Sequence, residues 1–401
     1  MHWRQTTCGV FVVLAGFFAC ACGARARSCT GSPVAQDDAA APGPQVRLVG
    51  RFDHPEARGG GGGGGLRFAW SGSSFVVRFT GPALSVRVRA APLAPHTVQI
   101  DGKPVTMNEK STAYSVRVDD RPPVSLEVTS DRESYPLATG LDPAAPHEVT
   151  VMREAEAFAG VHELLGLDLG PGGAFLPPRS RPLRIEVVGD SISCGYGVAG
   201  ESSKCPFTYA TERASLAYGA RLGTMLDADV TTVCWSGRGV LRNYDGTTTG
   251  TMPQLFELAL PESPQKPWSF AALPAPRAVI VNLGTNDFLG GAGQPLDLAA
   301  FEDAYVKFAA RLREVYPAAW IFVTTSPMLG APEVEKLART RLERVVARRT
   351  AAGDARIELI SLMTEAPHWG CDGHPDADMN ARIADRIAPI VRARLGLPAT
   401  P

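Results

Sequence analysis

"LRIEVVGDS", residues 183–191, is a largely apolar run that ends abruptly in Gly-Asp-Ser. Four similar runs follow it, and they alternate with stretches of helical periodicity. Apolar strands separated by amphipathic helices predict a parallel sheet that helices cover on both faces, here over residues 183–397. The four runs are "DVTTVCWSG" (229–237), "AVIVNLGTND" (278–287), "WIFVTTSP" (320–327) and "RIELISL" (356–362), and the helical stretches include 297–316, 333–350 and 376–395.

Residues 46–175 show a different pattern, in which apolar and polar residues alternate over short runs rich in Val and Thr. These runs predict the strands of an all-β sandwich or jelly roll, followed by a linker at 170–182. The glycines at 59–65 indicate a loop insertion, because no Gly-Lys-Ser/Thr or strand-to-helix context follows them. The six runs are "SFVVRFTG" (74–81), "LSVRVRAA" (84–91), "HTVQIDGK" (96–103), "YSVRVDD" (114–120), "VSLEVTS" (124–130) and "HEVTVMRE" (147–154).

The N-terminal residues predict export. The apolar run "CGVFVVLAGFFACACGA" follows a basic start and is too short for a comfortable membrane span, as in the apolar core of a signal peptide. "FFAC" and "ACAC" resemble a bacterial lipobox, so we expect a signal peptide at 1–22, with or without a lipid anchor at Cys20 or Cys22. Residues 23–45 predict a flexible tether. The expected location is therefore outside the cell or on its surface, with no transmembrane span.

Composition limits the partners. The 401 residues carry a formal net charge of −1, which gives no electrostatic reason to expect a nucleic-acid partner. Beyond the signal and tether the cysteines are Cys194, Cys205, Cys234 and Cys371, and their spacing does not suggest a metal site. Four cysteines allow three disulfide pairings, among which Cys194 with Cys205 closes a short loop. Buried free thiols are an equal alternative.

Three residues follow the ends of predicted parallel strands: Ser191, Gly237 and Asn286. Ligands bind at the carboxyl ends of the strands in such sheets. The positions of these three residues therefore predict a functional site at that edge of the sheet. Ser191 has the position of a nucleophile, although a helix N-cap is the alternative interpretation. Gly237 offers a backbone N–H and Asn286 a side-chain amide to a developing oxyanion.

A histidine completes this set. His374 stands in "CDGHPDADMN" just before Pro375, which favours the first turn of the last helix. His368 is a rival base without a motif around it. Together, Gly189-Asp190-Ser191, Gly237, Gly284-Thr285-Asn286-Asp287 and Asp372-Gly373-His374 resemble the four sequence blocks of the SGNH, or GDSL, hydrolases. The G-x-S-x-G elbow of α/β-hydrolases is absent, because residue 193 is serine.

A closer resemblance is to carbohydrate esterase family two, through "GDSISCGYG", "SGRGVLRNYDG", "NLGTNDF" and "DGHP". It covers roughly residues 46–395 and implies a jelly roll followed by a flavodoxin-like, three-layer SGNH domain. It also implies removal of acetyl groups from plant polysaccharides such as xylan and glucomannan, with no cofactor. Ser191 would then attack the acetyl carbonyl with His374 as base. The backbone amides of Ser191 and Gly237, with the Asn286 side chain, would bind the oxyanion.

The third member of the triad departs from the SGNH pattern. The usual aspartate position, three residues before the histidine, is Cys371, and Asp372 comes only two before. We favour the Asp372 carboxylate as the group that orients His374, with a backbone carbonyl in a Ser-His dyad as the alternative.

The sequence also offers candidate substrate contacts and alternative functions. Tyr196, Arg238 and Tyr244 are candidates to line the cleft, and each is equally compatible with a scaffold role. The alternatives to a polysaccharide acetyl esterase are a lipase, a deacetylase of the cell's own glycans, and a non-catalytic glycan-binding protein.

Overall fold

The computed structural model describes residues 46–54, 64–100, 102–262, 265–362 and 367–398. The predicted signal peptide, the tether and the glycines at 59–63 lie outside these described residues.

Two antiparallel sheets form the N-terminal part. One has the order β1-β3-β10-β7-β8 with β12 on β3, the other the order β2-β11-β4-β9, and β5 and β6 form a separate hairpin. The strands are β1 (Val46–Val49), β2 (Leu66–Phe68), β3 (Ser74–Thr80), β4 (Leu84–Arg89), β5 (His96–Ile100), β6 (Lys103–Met107), β7 (Ser111–Val118), β8 (Val124–Thr129), β9 (Ser134–Ala138), β10 (His147–Arg153), β11 (His162–Leu169) and β12 (Ala174–Leu176).

Alternating side chains fill the space between these two sheets. Along β10 buried and half-buried residues alternate strictly, as expected for a strand with one face in a core. Phe79, Tyr114 and Val149 lie in that core with their side chains almost fully buried. The six predicted strands are all present. The predicted linker at 170–182 is partly wrong, because β12 within it pairs with β3.

The C-terminal part contains a five-stranded sheet with the order β14-β13-β17-β18-β19, and all its pairs are parallel. The strands of this part are β13 (Leu183–Gly189), β14 (Ala228–Cys234), β15 (Leu258–Leu260), β16 (Lys266–Pro267), β17 (Ala278–Asn282), β18 (Trp320–Thr324) and β19 (Ile357–Ile360), of which β15 and β16 form a separate pair. The helices are α1 (Ser191–Cys194), α2 (Tyr218–Leu226), α3 (Met252–Leu255), α4 (Thr285–Leu289), α5 (Leu298–Val315), α6 (Pro332–Ala351) and α7 (Ala377–Leu395).

Helices cover both faces of this sheet. Side chains of α2 and α7 pack on one face against β13 and β17, and those of α5 and α6 pack on the other. The predicted three-layer α/β architecture is therefore confirmed, with α5, α6 and α7 each within a residue or two of its predicted bounds. Asp376 caps α7, so Pro375 lies just before the helix rather than in its first turn. Among the described residues no helix is long and apolar enough to cross a membrane.

The register of the sheet aligns three strand ends. Gly189 at the end of β13 pairs with Cys234 of β14 on one side and with Asn282 of β17 on the other. The segments that follow these three strands therefore leave the sheet at one level.

A buried ion pair joins the N-terminal and C-terminal parts. The Arg51 guanidinium, fully buried, lies 2.8 Å from the Glu186 carboxylate in β13. It also packs over the Phe256 ring at 4.8 Å and donates to the Leu258 carbonyl at 3.0 Å. A buried charge needs such partners. This ion pair and its contacts therefore hold the N-terminal and C-terminal parts together.

Candidate active site

Ser191 lies at a tight turn between β13 and α1. The intervening Asp190 caps α1, because its carboxylate accepts a hydrogen bond from the Ile192 amide at 3.1 Å. A Cβ at Gly189 would come within 2.0 Å of the Ser193 hydroxyl, so only glycine fits there. The interpretation of Ser191 as a helix N-cap is wrong, since Asp190 holds that position and leaves the Ser191 hydroxyl available.

His374 lies beside that hydroxyl. Its Nε2 atom is 2.8 Å from Ser191 Oγ, within reach for direct proton transfer. The rival His368 instead has its Nδ1 atom 3.9 Å from the Asp376 carboxylate. The structure thus brings together the predicted nucleophile and base, which are 183 residues apart in sequence.

The group that holds His374 is the main chain. Nδ1 of His374 lies 3.2 Å from the backbone carbonyl of Asp372. The Asp372 carboxylate turns away and accepts hydrogen bonds from the Tyr196 hydroxyl at 2.9 Å and the Phe207 amide at 3.1 Å. The preference for the Asp372 side chain is therefore corrected. With only one residue between Asp372 and His374, and a left-handed φ of 52° at Asp372, the carbonyl and not the carboxylate reaches the imidazole.

Two aromatic rings support the imidazole. The Tyr196 ring centroid is 4.3 Å from that of His374 and 4.3 Å from that of Phe207. The hydrogen bond from Tyr196 to Asp372 ties the stack to the carbonyl that holds Nδ1. The structure thus places Tyr196, predicted as a substrate contact, in a supporting position next to the base.

The three predicted oxyanion donors surround the strand ends. The backbone amides of Ser191 and Gly237 donate to no acceptor within the described part of the chain. Gly237 has a φ of 77°, which favours glycine. The Asn286 amide donates to the Arg238 carbonyl at 2.8 Å and lies 3.4 Å from the Asp190 carboxylate. These contacts tie Asn286 both to the Gly237 loop and to the nucleophile turn.

Burial sets the protonation of the base. Loss of hydration lowers the pKa of His374 to about 4, although the hydrogen bond to the Asp372 carbonyl acts in the opposite direction. Burial raises the pKa of Asp190 to about 7. At neutral pH the His374 imidazole is therefore unprotonated and can accept the Ser191 proton.

Two acidic residues that the sequence analysis missed hold the loop after β14. The Asp287 carboxylate accepts from the amides of residues 240–242 at 2.8–3.0 Å. The Glu156 carboxylate, from the N-terminal part, accepts from the Ser236 amide at 2.6 Å. Asp287 adjoins Asn286 in the third sequence block, which was a signal for it. No motif surrounds Glu156.

Two disulfides flank the site. Cys194–Cys234 joins the end of α1 to the end of β14, and Cys205–Cys371 joins the loop before Phe207 to the segment before His374. The Cys194–Cys205 pairing and the free thiols, both considered from the sequence, are wrong. The register that places Gly189 beside Cys234 also brings Cys194 to Cys234.

The remaining candidates lie along the same loop. Tyr244 is 59% exposed, and its amide donates to the Gly237 carbonyl at 2.8 Å, so its ring stands at the rim of the site. The Arg238 guanidinium lies over the Trp235 ring at 5.1 Å. Across the described ranges no group of three or more His, Cys, Asp or Glu residues is arranged to hold a metal ion.

Two family models match the chain. The model of the GDSL-like lipase/acylhydrolase family matches residues 187–383, and that of the carbohydrate esterase 2 N-terminal region matches 49–178. With its three-layer fold and its Ser, Gly, Asn and His blocks at the strand ends, the molecule has the architecture of a GDSL-type serine hydrolase. The chain belongs to the SGNH/GDSL hydrolases and, within them, to carbohydrate esterase family two.

Named relatives agree with this assignment. Cellulase/esterase CelE of Acetivibrio thermocellus is 29% identical over 355 residues, which are 88% of this chain and 40% of that protein. An acetylxylan esterase / glucomannan deacetylase of Cellvibrio japonicus is 29% identical over 289 residues, 69% of this chain and 75% of that protein. A family two carbohydrate esterase from Clostridium thermocellum, solved with cellohexaose, is 28% identical with a TM-score of 0.76, covering 88% of this chain and 99% of that one.

Proposed function

We propose that the chain is a serine esterase that removes O-acetyl groups from plant cell-wall polysaccharide such as xylan or glucomannan. The observation that carries the proposal is the 2.8 Å contact between His374 Nε2 and Ser191 Oγ, beside two backbone N–H groups that meet no acceptor among the described residues. Acyl transfer requires such a nucleophile, base and set of donors. The acetyl-polysaccharide substrate is supported by the names of the relatives.

The geometry supports a two-step reaction. Ser191 Oγ attacks the acetyl carbonyl while His374 Nε2 takes its proton, and the Asp372 carbonyl accepts from Nδ1–H of the resulting imidazolium. The N–H groups of Ser191 and Gly237 bind the oxyanion, together with the Asn286 Nδ2 proton that does not bond the Arg238 carbonyl. His374 then protonates the leaving sugar oxygen as the carbon–oxygen bond breaks. In the second step His374 deprotonates a water that attacks the acetyl-enzyme, which releases acetate and restores the Ser191 hydroxyl.

The saccharide contacts belong to the same proposal. Tyr244 has an exposed aromatic ring next to the loop that contains Gly237, and a sugar ring can pack on the face of that aromatic ring. Arg238 adds hydrogen-bond donors on the same loop.

We also propose that the jelly-roll domain extends over 46–175 and the hydrolase domain over 183–397. The protein would be exported through its first 22 residues, and a lipid anchor at Cys20 or Cys22 is part of this proposal.

Acetate release tests the proposed function. The purified chain should release acetate from 4-nitrophenyl acetate and from acetylated xylan or glucomannan, measured by an enzyme-coupled acetate assay. It should hydrolyse 4-nitrophenyl octanoate more slowly, because the sequence shows no apolar lid segment that would favour long acyl chains. Faster turnover of the octanoate would indicate a lipase. No release from any ester, together with binding to polysaccharide, would indicate a glycan-binding protein.

The pH dependence tests the state of the base. His374 must be neutral to accept a proton, so kcat/KM for the aryl acetate should fall only as the pH drops towards about 4. A histidine with an ordinary pKa near 6.5 would be only about 3% neutral at pH 5. We therefore expect kcat/KM at pH 5 to stay within about twofold of its value at pH 7.5. A fall in kcat/KM centred near 6.5 would contradict this prediction.

A further inference from the structure

Two glutamates of the N-terminal part reach into the hydrolase part by the same kind of contact. Glu154 and Glu156 directly follow β10 and are buried. The Glu154 carboxylate accepts from the amide and hydroxyl of Ser215, at 2.8 and 2.6 Å. The Glu156 carboxylate accepts in the same way from the amide and hydroxyl of Ser236. The two contacts differ in where they lead, because Ser236 directly precedes Gly237.

The Ser236 contact bears on the oxyanion hole. The Gly237 N–H belongs to the peptide that joins it to Ser236, so the orientation of Ser236 sets the direction of that N–H. Glu156 fixes both the amide and the side chain of Ser236. Around it, the Cys194–Cys234 disulfide holds the strand end and the Tyr244 amide holds the Gly237 carbonyl. Glu156 therefore acts on the residue from which the Gly237 N–H is aimed.

A second buried carboxyl group supports Glu156. Glu212 is fully buried near Glu156, and its two carboxyl oxygens have no hydrogen-bond partner within the described ranges. Two adjacent buried carboxyls cannot both be ionised. Burial and the neighbouring Glu156 raise the pKa of Glu212 well above its usual range, so Glu212 keeps its proton. Burial also raises the pKa of Glu156, and the hydrogen bonds from the Ser236 hydroxyl and amide act in the opposite direction.

Charged and titratable groups around this pair act on it in addition to burial. Arg238 lies on the same loop as Ser236, and its charge favours the anion at Glu156. The Arg153 charge, at the end of β10, lowers the pKa of Glu212 and so opposes part of the effect of burial. Tyr196 and Tyr209 lie nearby, and both are neutral because burial raises the pKa of each hydroxyl above its usual range.

We propose that Glu156 is a positioning residue for the oxyanion hole, so that the N-terminal part contributes directly to acyl transfer by aiming the Gly237 N–H. This inference rests on the proposed esterase function. It separates two roles of the N-terminal part, since Glu154 only joins the two parts whereas Glu156 also orients a catalytic donor.

Matched substitutions test the proposal. Glu156→Ala should lower kcat for 4-nitrophenyl acetate by roughly 10- to 100-fold, less than the ~10²–10³ for outright loss of a donor, with little change in KM. Glu156→Gln keeps one acceptor for the Ser236 amide and should recover part of the loss. Glu154→Ala removes the same number of atoms two residues earlier, and its kcat per folded molecule should equal that of the unmodified chain. Circular dichroism during urea unfolding gives the folded fraction of each variant.

The inhibition constant of phenylboronic acid distinguishes a misdirected oxyanion donor from a general loss of rigidity in the variant. Its tetrahedral anion on Ser191 occupies the oxyanion hole, so its inhibition constant should rise in Glu156→Ala by about the factor by which kcat falls, and should not rise in Glu154→Ala. Equal kcat per folded molecule in the two alanine variants would overturn the proposal, as would a loss of kcat without a loss of boronate affinity.

Two further variants keep the test decisive if Glu156→Ala fails to fold. Ser236→Ala removes only the hydroxyl hydrogen bond to Glu156, and the amide hydrogen bond remains, so kcat should fall only roughly threefold to tenfold. Glu212→Ala removes the buried carboxyl group next to Glu156 and should lower kcat more than Glu212→Gln, which fills the same space. An unchanged kcat in both Ser236→Ala and Glu212→Ala would overturn the proposal. Absence of activity in the unmodified chain would instead refute the esterase function itself.

Discussion

Ser191→Ala will lower kcat for 4-nitrophenyl acetate by about 10⁶-fold, to the level that binding and the oxyanion donors alone support. The substitution removes the oxygen that lies 2.8 Å from His374 Nε2, so no acetyl-enzyme can form. The backbone donors and the turn remain, since Asp190 rather than Ser191 caps α1. Stopped-flow and steady-state assays on aryl acetate, and the loss of acetate release from acetylated xylan, measure the effect.

Ser193→Ala is the matched control for this variant. Ser193 is a second buried serine of the same short helix, and its hydroxyl lies 2.7 Å from that of Tyr218, away from His374. Its loss should cost about 1 kcal/mol of stability for one buried hydrogen bond and leave kcat near that of the unmodified chain. Comparable losses of activity in the two serine variants would show that damage to α1, and not loss of a nucleophile, explains the result.

His374→Ala should also lower kcat by about 10⁶-fold, because the base and the nucleophile act as a unit. Asp372→Asn should lower kcat by less than about tenfold, although loss of a carboxylate that supports the base costs ~10⁴ in triad enzymes. The difference follows from the geometry, since the Asp372 carbonyl, which the substitution retains, holds Nδ1. An asparagine oxygen can still accept from Tyr196 and Phe207.

The comparison of these two variants distinguishes a dyad from a triad. It requires kcat and KM for the same aryl acetate and a check of the folded fraction, since Asp372 also docks the loop that contains Phe207. A loss near 10⁴ in Asp372→Asn, with its folded fraction intact, would show that the carboxylate supports the base during turnover.

Much of this molecule could be predicted from its sequence because the relevant signals are local. The parallel strands are apolar runs, and α5, α6 and α7 have a periodic apolar face, so their positions follow from patterns over ten to twenty residues. The positions of Ser191, Gly237 and Asn286 followed from the rule that strand ends of a parallel sheet meet at one edge. Short strands such as β2 and β12 were missed, because three residues are too few to show alternation.

The parts that could not be predicted depend on contacts between distant segments. Whether Asp372 presents its carboxylate or its carbonyl to His374 is decided by a left-handed φ and by the Tyr196 hydroxyl, which the spacing of the motif does not encode. The disulfide partners depend on which strands are neighbours in the sheet. The role of Glu156 depends on a tertiary contact, because the end of β10 lies beside the loop that contains Ser236.

The two disulfides also set an order for making the molecule. Their partners are separated by 40 and 166 residues, and Cys371 is synthesised only after most of the chain. The link beside the base can close only after Cys371 has been synthesised, in a compartment that oxidises thiols. A chain retained in a reducing cytosol would keep the nucleophile turn and the histidine segment unlinked.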